Sequence, residues 1–185
     1  MYRDNSLIPS DAVRLAALGG LWRGPRRYAE LATEVRHFTS RIVGPSLDLL
    51  APSIELLRLE GLIEAVSGAD TMGASAEAGD ALMTLTAAGR AELNRLLTAN
   101  LRGPLGEINK LIIALKLRFI EALSPAERAL QADVLAESCE QELARLRDLR
   151  ARDAGAPSHL VDWLDHDIAQ VEARLAWFHA LKRRL

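Results

Sequence analysis

The sequence predicts a mainly α fold in two parts, three short helices closed by a β-hairpin and then a run of long helices. Leucine and alanine supply 63 of the 185 residues while aromatic residues make up 4%, a composition that favours helix over sheet and excludes an all-β fold. Gly24-Pro25 and Gly44-Pro45 break the first part into short segments, because proline cannot continue a helix and glycine readily ends one. In the second part apolar residues recur at three- and four-residue spacing over long stretches, the period of helices packed along their length.

Ser10-Asp11 supplies an N-cap for a first helix running to Trp22, with Val13, Ala16, Ala17, Leu18 and Leu21 on its apolar side. A second helix follows from Arg26 to Phe38, where Leu31 and Val35 repeat at i, i+4. A third apolar segment, Ser53 to Leu59, closes with Gly61, the residue type expected just past a helix C-terminus. Leu62-Ile63-Glu64-Ala65-Val66 and Leu82-Met83-Thr84-Leu85 then read as two short strands, joined by a long tip rich in Gly, Ala, Ser and Asp. Thr86 stands where an N-cap belongs, ahead of a helix carrying Ala91, Leu93, Leu96 and Leu97. Three helices and a hairpin in that order predict a winged helix-turn-helix N-terminal domain over residues 1–100.

The remainder, residues 101–185, reads as a helical domain. Pro104 precedes a helix from Leu105 to Leu123, and Ser124-Pro125-Ala126-Glu127 combines an N-cap serine, a proline at the first helical position and a capping-box glutamate. The helix that follows runs to Arg152 with Leu135, Leu143, Leu146 and Leu149 along it. After a turn at Ala154 to Pro157, Ser158 caps a last helix whose Leu164, Ile168, Val171, Leu175 and Phe178 form a heptad seam. Long antiparallel helices with such seams suit a dimer interface, so the expected architecture is a winged helix-turn-helix joined to a long-helix C-terminal dimerisation domain.

Charge and residue usage narrow the function. With 23 basic and 25 acidic residues the net charge is −2, so any nucleic-acid binding must come from a local patch. The single Cys139 excludes a disulfide framework and a cysteine-based zinc site and points to a reducing compartment. The most apolar stretch, Leu111 to Leu123, is interrupted by Lys116, Arg118 and Glu121, and the N-terminus carries no apolar signal core; a cytoplasmic protein with no membrane partner is expected. Nucleophile-elbow, phosphate-loop, zinc-protease and dinucleotide motifs are all absent from the sequence. The expectation is therefore no enzyme, no cofactor and no metal.

Three stretches resemble the PadR family of bacterial transcriptional regulators: Gly24-Pro25 with Glu30-Leu31, the run from Leu50 through Ala51-Pro52-Ser53-Ile54-Glu55-Leu56-Leu57-Arg58-Leu59-Glu60-Gly61 to Leu62-Ile63, and Leu85-Thr86-Ala87-Ala88-Gly89-Arg90. Glu172-Ala173-Arg174-Leu175-Ala176-Trp177 also looks like the tryptophan-containing last helix of that family, so the resemblance covers residues 12–181. It implies a homodimeric repressor on double-stranded DNA with a pseudo-palindromic operator, often relieved by a small aromatic effector. The family usually has tyrosine where Ala29 and Ala51 stand here, and basic side chains where the recognition helix has Glu55 and Leu56.

Residues 48–80 hold seven acidic side chains against one basic, Arg58, the wrong sign for a phosphate backbone. Just upstream, Arg23, Arg26, Arg27, Arg36 and Arg41 outnumber Glu30 and Glu34, with His37 nearby. Arg26, Arg27 and Arg41 are thus candidates for backbone contacts, and Ser46, Ser53 and Arg58 for base readout. The competing reading is a protein-interaction module, a winged helix whose acidic recognition helix and Leu56 meet a protein partner instead of DNA.

In the last helix Trp163 and Trp177 fall on one side, away from the seam. With Ile168, Val171, Leu175 and Phe178 they are the candidates for an effector pocket or a dimer interface. His159, Asp162 and His166 share a face at i, i+3, i+7, a spacing that could hold a divalent metal but more often marks a solvated surface.

Overall fold

The computed structural model describes residues 7, 9–44, 51–66, 81–101, 106–153 and 159–185. In chain order they form α1 (Pro9–Trp22), β1 (Arg26–Arg27), α2 (Tyr28–Val43), α3 (Ala51–Leu59), β2 (Ile63–Ala65), β3 (Leu82–Leu85), α4 (Ala87–Thr98), α5 (Glu107–Phe119), a 3-10 turn at Ile120–Ala122, α6 (Pro125–Asp153) and α7 (His159–Lys182). Mainly helical, with three helices ahead of a small antiparallel sheet, the N-terminal half is the winged helix-turn-helix that the sequence predicts.

The sheet has the order β1-β3-β2. Ile63 lies opposite Leu85 and Ala65 opposite Met83, giving the hairpin, while Arg26 and Arg27 pair with Met83 and Leu82 on the other edge. That third strand corrects the expected helix start at Arg26. The free edge of β3 offers hydrogen-bonding groups to whichever segment lies beside it, so Arg26 and Arg27 are drawn into the sheet. The amide of Tyr28 donates to the Ala81 carbonyl at 3.1 Å, and the helix begins there.

The long-range packing of the hairpin against α4 explains why two of the family-like stretches occur together. Gly61, at φ +70°, turns the chain out of α3 in the left-handed region that favours glycine. The Thr86 hydroxyl donates to the Gly61 carbonyl at 2.7 Å and accepts from the Gly89 amide at 3.0 Å, so one side chain caps α4 and ties it to the end of α3. Gly89 is required by the close approach, since a Cβ there would collide with the Leu62 carbonyl oxygen.

Two hydrophobic clusters organise the chain. The first gathers Leu15 and Leu18 of α1, Leu31 and Val35 of α2, Ile54 and Leu57 of α3, the inward residues of β2 and β3, Leu93, Leu96 and Leu97 of α4, and Leu111, Ile112, Leu115 and Phe119 of α5. The second is the α6–α7 pair, where Leu135, Cys139, Leu143 and Leu146 meet Leu164, Ile168, Val171 and Phe178. The heptad seam of α7 is thereby occupied within the chain. Helix α5 serves both clusters, because Ile113 and Leu117, on its other side, pack against the second. Lys116 is fully buried between them, its amine donating to the carbonyls of Leu96, Leu97 and Ala99 at 3.1, 2.6 and 2.7 Å. Among the described residues no helix is long and apolar enough to cross a membrane.

Candidate nucleic-acid interface

Helix α3 rests on the first cluster through Ile54 and Leu57, both with no exposed surface. At ~100° per residue its opposite side presents Leu56 and Leu59 to solvent, 48% and 75% exposed. Arg58 is held along the helix by Glu55, its Nε and Nη2 donating to one carboxylate oxygen at 3.0 and 2.6 Å. Glu60 receives a two-pronged contact from Arg14 of α1, at 3.0 and 2.6 Å, which also holds the Arg14 guanidinium above its usual pKa. The acidic excess counted along the sequence is therefore partly cancelled in space by Arg14, which lies 46 residues from Glu60 and outside that count. Glu64 of β2 remains exposed.

Helix α2 packs on the same core through Leu31 and Val35 and turns a cationic face to solvent. Arg36, His37 and Arg41 are exposed, and neither Arg36 nor Arg41 has an ion-pair partner among the described residues. Arg26 differs, because its guanidinium is engaged by Glu34, whose other carboxylate oxygen binds Arg118 of α5. Arg118 in turn sits over the Phe38 ring, 4.5 Å from its centroid, and Arg23 donates to the Arg118 carbonyl at 3.1 Å. Arg27 is exposed at the outer edge of β1. Ser46 lies outside the described residues, as does the side chain of Ser53 in the first turn of α3.

Between α3 and the sheet an open cleft of about 610 Å³ is bordered by Tyr28, Glu55, Arg58, Ile63, Glu64 and Met83. Partial burial, and secondarily the Glu55 charge, push the Tyr28 hydroxyl to a higher pKa than usual.

Residues 2–182 match a family profile described as "Putative AphA-like transcriptional regulator". The chain belongs to the AphA-like transcriptional regulators. Three crystal structures of PadR from Bacillus subtilis also match along most of the chain. The complex with operator DNA has 20% identity and a TM-score of 0.35, over 92% of this chain and 97% of that one. The protein alone has 18% identity and a TM-score of 0.36, over 96% of each chain. The complex with p-coumaric acid has 18% identity and a TM-score of 0.36, over 96% and 97%. No curated protein matches.

In this AphA-like chain the aromatic candidates of α7 divide. Ile168, Val171 and Phe178 are buried against α6 and Leu175 is half-buried there, whereas Trp163 and Trp177 are 56% and 45% exposed. Trp177 meets the edge of Phe178 at 5.4 Å between centroids, with the Arg184 guanidinium 6.0 Å from its own ring. A cavity of about 340 Å³ opens beside it, with Ile113, Leu117, Trp177 and Phe178 as its apolar lining and Lys110 and Arg174 at its polar side. His166 lies against Gln170, at 2.6 Å, and His159 faces Asp162 at 3.6 Å. Among the described residues no three His, Cys, Asp or Glu side chains converge.

Three connections carry no signal in the sequence, the Arg14–Glu60 pair, the Glu34 bridge between Arg26 and Arg118, and the burial of Lys116. Each joins residues far apart in the chain, and none has a local spacing signal.

Proposed function

We propose that this AphA-like regulator acts in the cytoplasm as a homodimer on double-stranded DNA, repressing transcription from a pseudo-palindromic operator, with a small aromatic effector adjusting its affinity. The observation that carries the reading is the cationic face of α2, where Arg36 and Arg41 are exposed with no ion-pair partner among the described residues, in a winged helix. In such an arrangement the first helix of the motif crosses the phosphate backbone while the second enters the major groove. Residues 1–100 supply the DNA contacts and residues 101–185 the pairing. Arg36 and Arg41 engage phosphate directly, Arg26 does so by exchanging Glu34 for a phosphate oxygen, and Arg27 is a further candidate for a backbone contact. Ser46, Ser53 and Arg58 are the candidates for base readout.

Pairing falls to the Trp163 and Trp177 side of α7, since α6 already covers the heptad seam. Two recognition helices held ~34 Å apart then address successive major grooves. An aromatic effector fits the cavity beside Trp177, between α5 and α7, where its binding alters the angle between the two halves and so the fraction of dimers able to span both half-sites.

Titration of the purified protein into a fluorescent duplex from its own upstream region, at several salt concentrations and against a scrambled competitor, tests the reading. Specific binding that weakens steeply with salt supports it. A folded dimer that binds no DNA at low salt on this or a random-sequence library removes it. That result favours the protein-interaction module, for which exposed Leu56 and Leu59 are the supporting observation.

A further inference from the structure

The outward face of α3 carries leucine and a closed ion pair. Guanine is read in the major groove by a free guanidinium or ammonium on O6 and N7, yet Arg58 is already bound to Glu55 through two donors. Glu60 is likewise bound to Arg14. The helix therefore offers base edges a nearly neutral surface on which the Leu56 and Leu59 side chains are exposed beside the Arg58–Glu55 pair. A leucine has one favourable partner on a base edge, the C5-methyl of thymine, which it can shield from water. Attraction to the duplex comes from α2, where Arg36 and Arg41 are exposed, so α3 needs no cation of its own to stay in the groove.

We infer that Leu56 and Leu59 read the operator through thymine methyl groups, so that the half-site positions facing α3 are A·T pairs with thymine oriented toward these side chains. The inference rests on the DNA-binding reading above and adds the class of sequence recognised. It assigns specificity to two residues that would otherwise be exposed apolar surface.

Deoxyuridine supplies the test, because it pairs as thymine does and lacks only the methyl. A random duplex library is selected with the full-length protein, and the recovered half-site is resynthesised with thymine replaced by deoxyuridine one position at a time. The expected result is an A·T-rich half-site in which one or two replacements each weaken binding about fourfold, the factor equivalent to ~0.8 kcal/mol for one buried carbon. Leu56→Ala and Leu59→Ala should each abolish that discrimination at one position while keeping the salt dependence of wild type. Both side chains are exposed, so an unchanged urea midpoint identifies each variant as folded. Equal affinity for thymine and deoxyuridine duplexes, a G·C-rich half-site, or discrimination that survives both substitutions overturns the inference and leaves DNA binding intact. Failure to recover any duplex at low salt overturns both readings together.

Discussion

Lys116 on α5 donates a hydrogen bond of 2.6 Å to the carbonyl of Leu97, in the last turn of α4. With its bonds to Leu96 and Ala99 the amine closes a helix end that has no water to turn to. Burial brings its pKa down from 10.5 to about 7. Between those two values the unfolded chain holds a proton that the folded chain has released, so stability rises with pH across that window. Urea midpoints followed from pH 7 upward should climb in wild type relative to Lys116→Met, and parallel curves would count against the buried amine. The variant should also lose about 1–3 kcal/mol at mildly alkaline pH, since it leaves carbonyls at the end of α4 without a donor.

Gly89 and Thr86 form the clasp between the hairpin and α4. Gly89→Ala forces a methyl onto the Leu62 carbonyl and should cost about 1–3 kcal/mol, in the range of overpacked sites. Thr86→Ala removes both the cap on Gly89 and the bond to Gly61, with an expected loss of about 1–2 kcal/mol. Gly106→Ala is the comparison, because nothing lies within 4 Å of a Cβ there. Thermal denaturation of the three variants should rank Gly106→Ala closest to wild type.

On the DNA-binding reading, Arg36 and Arg41 each neutralise one phosphate. Replacing both with alanine should make the slope of log affinity against log salt shallower by roughly two units per protomer, at ~0.9 per contact. Sequence preference should be unchanged. A variant with the full wild-type slope would show that the backbone contacts lie elsewhere.

The exposed tryptophans make a separate prediction. If α7 pairs with a second copy through Trp163 and Trp177, sedimentation of wild type should give a dimer, and Trp163→Glu combined with Trp177→Glu a folded monomer. A double variant that remains dimeric would assign pairing to another face.

Local signals in the sequence hold at several helix ends but not at the first, where α1 begins at Pro9, so Ser10 and Asp11 lie in its first turn and are not its N-cap. At Ser124 and Glu127 the capping box forms as predicted, the Ser124 amide donating to the Glu127 carboxylate at 2.9 Å. The β2–β3 hairpin also lies where alternation and turn residues place it. What the sequence hides depends on partners distant along the chain. Arg26 and Arg27 suit a helix start, and only the open edge of β3 makes them a strand. Lys116 reads as a polar interruption of an apolar stretch until α4 brings three carbonyls to it. The acid count of residues 48–80 overstates the local field, since Arg14, 46 residues from Glu60, is brought alongside by the fold. The α7 heptad correctly marks a packed seam, but spacing alone does not reveal whether the helix that fills it belongs to the same chain or a second copy.

Helix α5 has a consequence for dividing the molecule. Leu111, Ile112, Leu115 and Phe119 fill the first cluster from the far side of the loop that follows α4. A fragment ending at Asn100 would leave a trench along α1 and strip Lys116 from the end of α4. The shortest autonomous piece of the winged half therefore extends through Leu123, and limited proteolysis should release a fragment of that length rather than one cut after α4.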